Sequence, residues 1–72
     1  METRTIAYTR TNIEYNGKVV GYYVKEDTGF SSRWKIKFNH KTHARYEFIN
    51  DINVKYKVAD MLDYEVAFGY IK

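Results

Sequence analysis

The sequence predicts a mainly β protein: a small antiparallel barrel or curled sheet of five to six strands. Three observations point there. Apolar and polar residues alternate with period two over most of the chain, the side-chain period of a half-buried strand. An Asn16-Gly17 pair sits between two such runs, the strongest short-range hairpin signal. The apolar residues are strand formers, with eight Tyr, four Phe and one Trp among 72 residues and no proline.

The first strand pattern is Ile6 and Tyr8. Its parity is opposite to that of Ile13 and Tyr15, which predicts a bulge or bend near Arg10 to Asn12. After the Asn16-Gly17 turn, Val20, Tyr22 and Val24 form the inward set, with Ile13 opposite Val20, and Tyr23 takes the outward parity of that strand. A Glu26 to Ser32 loop containing Gly29 follows. The next strand sets Trp34, Ile36 and Phe38 inward against Arg33, Lys35 and Lys37 outward. Ala44, Tyr46 and Phe48 continue the inward set one strand on.

Over Ile52, Val54, Tyr56 and Val58 the alternation reads as strand, followed by a short helical turn at 59–63. The competing reading is α+β, an antiparallel sheet with one helix at 51–63. Val54, Val58, Met61 and Leu62 fit helical spacing and Asp51 can cap it. Strand is preferred because a helix leaves Ile52 and Tyr56 on its wet face. A final strand, Tyr64 to Ile71, points Tyr64, Val66, Phe68 and Tyr70 one way. The architecture is that of SH3-like and OB-like barrels, by analogy of shape alone; such folds host unrelated functions.

Composition narrows the function classes. The chain reads as a single domain (1–72) that must rely on its core, since it has no cysteine for a disulfide or thiolate metal site. No apolar run approaches the roughly 20 residues that span a bilayer. The start METRTIAYTR lacks the basic-then-apolar order of a leader, so the expectation is a soluble, cytoplasmic protein.

The charge is uneven. Net charge is only +3, yet five of the twelve Lys and Arg fall between Arg33 and Arg45, a segment whose acids are deferred to Glu47. Matching inward residues to inward residues pairs Phe38 with Ala44, hence Lys37 with Arg45 and Lys35 with Glu47. A three-residue turn at 49–51 then pairs Arg45 with Lys55 and His43 with Lys57. The predicted result is a row, Lys37, Arg45 and Lys55, across three strands, flanked by Arg33, Lys35, His43 and Lys57, with Tyr23 exposed nearby. Opposed like charges weaken a sheet, so the row is expected to face an anionic partner. The bland alternative is a solvated face that keeps a small β protein soluble.

No constellation points to catalysis. His40 and His43 in NHKTH are too few for a metal site without further ligands. Asp60, Asp63 and Glu65 read as a solvated turn, Ser31 and Ser32 have no evident base, and no glycine loop cradles phosphate. The expectation is a non-enzymatic binding protein without cofactor that binds nucleic acid through a basic sheet face. The alternative is a small protein-binding inhibitor or adaptor, of the kind a phage or mobile element directs at a host complex such as a defence nuclease. It would dock on an acidic protein surface by the same face or by a free edge strand; the chain itself is expected as a monomer or as a homodimer through an edge strand, the closing strand 64–71 having little charge to blunt a free edge.

Overall fold

The computed structural model describes residues 5–72; residues 1–4, part of the stretch read as lacking a leader, lie outside it. The protein is an open five-stranded antiparallel sheet with one helix against it. The strands are β1 (Ile6–Ala7), β2 (Thr11–Tyr15), β3 (Lys18–Asp27), β4 (Ser32–Phe38) and β5 (Arg45–Glu47), and the helix is α1 (Val54–Ala67). The order is β1-β3-β4-β5, with β2 also pairing along β3. The curled antiparallel sheet is present and the barrel does not close, so the fold takes the α+β form of the expectation.

The hairpin forms where Asn16-Gly17 placed it, with φ of 50° and 76° at the two turn residues, the left-handed pair a type I′ turn requires. Two irregularities then set which residues face which way. Ala7 pairs with Glu26 and Thr11 with Tyr23, so Tyr8, Thr9 and Arg10 span what Val24 and Lys25 span on β3. This extra residue is the bulge that the parity change demanded, a step earlier than expected. The second was not foreseen. Ile13 pairs with Gly21 but Glu14 with Val19, so Val20 is an extra residue on β3.

That second bulge corrects the β3 assignment. Beyond Val20 the faces exchange, because a one-residue slip moves every side chain across the sheet. Tyr23 turns inward, paired beside Ile36, with its ring 5.8 Å from that of Trp34. Tyr22 and Val24 take the outer face instead, where Val24 is nonetheless buried. Gly21 holds the crossing: a Cβ there would lie 2.4 Å from the Lys37 carbonyl oxygen, so only glycine lets β3 and β4 approach this closely.

Residues 52–58 are not a strand, and Tyr64 to Ile71 is not one either. Val54, Val58, Met61, Leu62 and Glu65 recur at helical spacing and lay one stripe of α1 on the sheet. The period-two pattern was a coincidence of a short window. Ile52 and Tyr56 do sit on the wet side, 80% and 71% exposed, which shows that the objection to a helix had no force here. The helix closes through a Schellman motif, with Gly69 N–H donating to Val66 O (3.0 Å) and Tyr70 N–H to Glu65 O (2.9 Å). The chain then returns Ile71 to the core, and the free edge strand proposed for 64–71 is not formed.

The core lies between sheet and helix: Ile13, Ile36, Phe38, Val54, Val58 and Ile71, with Tyr15, Tyr23, Trp34 and Met61 packed against it. Of the aromatics read as inward, Phe38 is fully so and Trp34 half-buried, whereas Tyr46 and Phe68 are exposed. Asp51 does not cap α1. Its carboxylate accepts from Lys25 Nζ (2.8 Å) and Trp34 Nε1 (3.2 Å), clasping the turn before the helix to β3 and β4. Among the described residues no helix is long and apolar enough to cross a membrane.

Candidate nucleic-acid interface

The loop between β4 and β5 decides where the basic residues point. Asn39 donates from its backbone N–H to Val20 O (2.9 Å) and from Nδ2 to Val19 O (3.1 Å). His40 Nε2 and Lys41 Nζ reach the buried Glu65 carboxylate of α1 at 2.7 and 3.2 Å. With 39–41 anchored this way, β5 pairs one residue out of the expected register: Trp34 with Glu47, Lys35 with Tyr46, Ile36 with Arg45.

The predicted row is therefore corrected. Arg45 shares the face of Ile36, on the helix side of the sheet, and cannot stand beside Lys37. It donates to Glu47 (3.2 Å), which Lys57 of α1 also approaches at 3.4 Å. Burial pushes the Glu47 carboxyl up, but the hydrogen bonds and charges of Arg45 and Lys57 outweigh it and hold the group below its ordinary range. Lys55 is exposed on α1, since its segment is helical. Tyr23 belongs to the helix side as well.

The outer face, away from α1, is assembled from other residues. Strand pairing places Asn12, Tyr22 and Lys37 in one row, Val24, Lys35 and Tyr46 in the next, and Ala7, Glu26 and Arg33 in a third. The guanidinium of Arg10 lies 4.1 Å from the Tyr22 ring centre and that of Arg33 4.4 Å from Tyr46, while Lys35 Nζ is 5.9 Å from Tyr22. The acids of this face stand towards its ends: Glu14 in the β2–β3 hairpin, and Glu26, which accepts from Arg33 Nε at 2.9 Å. Among the described residues, no salt bridge involves Arg10, Lys35 or Lys37.

A depression of about 310 Å³ opens on this face, lined by Tyr22, Lys35, Lys37, Tyr46 and, from the loop, Thr42, His43 and Ala44. Of the sequence-predicted residues, Lys35, Lys37 and His43 converge there, and Arg33 adjoins through Tyr46. Tyr22, Tyr46 and Arg10 were missed. The signal for Tyr22 was Gly21, since a glycine inside a strand pattern marks a bulge or a close backbone approach. A larger cavity of about 770 Å³ lies on the helix side, between β4, the 39–44 loop and α1. Its cations Lys41, Arg45 and Lys57 already have carboxylate partners in Glu65 and Glu47.

Set against protein-family models, curated proteins and solved structures, the chain finds no match in any of the three.

Proposed function

We propose that this chain is a non-enzymatic binding protein that holds nucleic acid against the outer face of its sheet. The supporting observation is that Arg10, Lys35 and Lys37 share one face with Tyr22 and Tyr46, without a carboxylate partner among the described residues. Cations on strands meet phosphates, and counterion release supplies the affinity. Tyrosines among them give the bases an apolar surface.

Anisotropy of a labelled duplex and of a labelled single strand, each titrated with salt, tests this. If Arg10, Arg33, Lys35 and Lys37 each neutralise a phosphate, log affinity falls with log salt at a slope of about −3.6, or about −2.8 for a single strand. Binding of neither form at low salt, or an affinity that salt does not change, contradicts the proposal.

The protein-binding reading draws on another surface. Tyr64 stacks on Phe68 at 5.6 Å between ring centres and Tyr70 lies tilted against Phe68 at 6.3 Å, while each stays more than 60% exposed. Exposed apolar patches of this kind serve protein contacts. Capture of a protein partner that is lost on Phe68→Ala and kept on Lys37→Glu would favour the inhibitor or adaptor function.

A further inference from the structure

We infer that the nucleic acid seated on this face is single-stranded, with unpaired bases stacked on Tyr22 and Tyr46; this rests on the nucleic-acid reading above. The two tyrosines flank β4 diagonally. Tyr22 on β3 pairs with Lys37 and Tyr46 on β5 pairs with Lys35, so the rings and the lysines alternate around a central strand. Two inter-strand steps and two residues along β4 separate the tyrosine α-carbons by about 12 Å. Bases of a duplex follow one another every 3.4 Å or so and bury their faces in the stack. Platforms this far apart serve bases that are splayed from one another, which only an unpaired strand supplies.

The surroundings agree with stacking rather than groove reading. Each ring carries a guanidinium, Arg10 at 4.1 Å and Arg33 at 4.4 Å, so each is a preformed aromatic and cationic plate. With a guanidinium already over one face of each ring, a base stacks on the guanidinium, or on the ring when the arginine swings out to a phosphate, and Lys35 and Lys37 stand beside it. The depression between the tyrosines is concave, bounded on one side by Thr42 and His43. Its volume of about 310 Å³ is enough for a single base and its sugar. Thr42 and His43 are positioned to hydrogen-bond the edge of a base held there.

The test compares a labelled twelve-nucleotide oligothymidine with its duplex on oligoadenine, at 50 mM salt, for the native chain, Tyr22→Ala, Tyr46→Ala and the two Tyr→Phe variants. The single strand is expected to bind at least tenfold tighter than the duplex. Each alanine variant should lose about tenfold for the single strand, with an unchanged salt slope, and each phenylalanine variant should keep the native affinity. Circular dichroism and the denaturation midpoint establish that the variants are folded. Binding to both forms with equal affinity, or alanine variants that bind like the native chain, overturns the single-strand inference and leaves the nucleic-acid reading standing. Binding to neither form overturns both.

Discussion

The two sides of one sheet treat their cations differently. Between sheet and helix, Lys25 meets Asp51, Lys41 meets Glu65, and Arg45 and Lys57 share Glu47, at 2.8 to 3.4 Å. On the outer side, among the described residues, only Arg33 has such a partner, Glu26, while Arg10, Lys35 and Lys37 surround two tyrosines. The first set joins elements of the fold: it ties α1 and the turn before it to β3, to β5 and to the 39–41 loop through partly exposed pairs, each of modest worth. In the second the cations lie against tyrosine rings or, for Lys37, on the Phe38 carbonyl, and among the described residues no carboxylate neutralises Arg10, Lys35 or Lys37.

The comparison breaks first at the core. Phe38, 2% exposed on the helix side, is expected to lose roughly 3–5 kcal/mol on truncation to alanine, much of the stability of a small domain. Tyr46→Ala, on the outer side, should move a denaturation midpoint far less. Equal losses at the two positions would show that the outer face is also packed, and that the asymmetry is false.

A smaller effect sharpens the comparison through pH. The hydrogen bond from Lys25 holds Asp51 below 3.8 despite some desolvation, and the same bond raises Lys25 above 10.5. A depressed carboxyl contributes stability above its unfolded pKa and loses it as pH falls through the folded one. A raised lysine contributes below its unfolded pKa and loses it as pH rises through the folded one. Thermal melts should therefore weaken below about pH 4 and again above about pH 10, and Asp51→Asn should flatten part of both shoulders. Glu47, also depressed, keeps the acid shoulder from vanishing. An Asp51→Asn protein with the native pH profile would remove the clasp from the account.

The smallest stability effect belongs to the outer lysines. Lys37→Glu, at a half-buried position whose Nζ donates to Phe38 O at 2.9 Å, is expected to cost about 1 kcal/mol or less, the worth of one hydrogen bond. A large loss would mean that Lys37 serves the fold, through its Nζ bond to Phe38 O, rather than a partner.

Much of this was legible in the residues, and the failures have particular causes. Asn16-Gly17 specified its turn outright, and the parity clash of Ile6 and Tyr8 with Ile13 demanded a bulge. The strand Trp34, Ile36, Phe38 against Arg33, Lys35, Lys37 formed as read, which is why those lysines reach the outer face. The Val20 bulge and the one-residue register of β5 were not legible. Both come from long-range contacts: the Gly21 backbone against Lys37, and His40 and Lys41 against Glu65. Each moved one tyrosine to the outer face and one predicted residue, Tyr23 or Arg45, to the other side. Val54 to Glu65 was misread because four apolar positions in alternation fit either period, and the twelve-residue helical stripe was the longer evidence.

The central claim is that the outer cations serve a polyanion and the inner ones serve the fold. Two double reversals in the full chain test it most directly, Lys35→Glu with Lys37→Glu against Arg45→Glu with Lys57→Glu, each measured for single-strand binding at 50 mM salt and for denaturation midpoint. The account predicts that the outer pair abolishes binding at an almost unchanged midpoint, and that the inner pair lowers the midpoint while the folded fraction still binds. Loss of binding by the inner pair alone would contradict it.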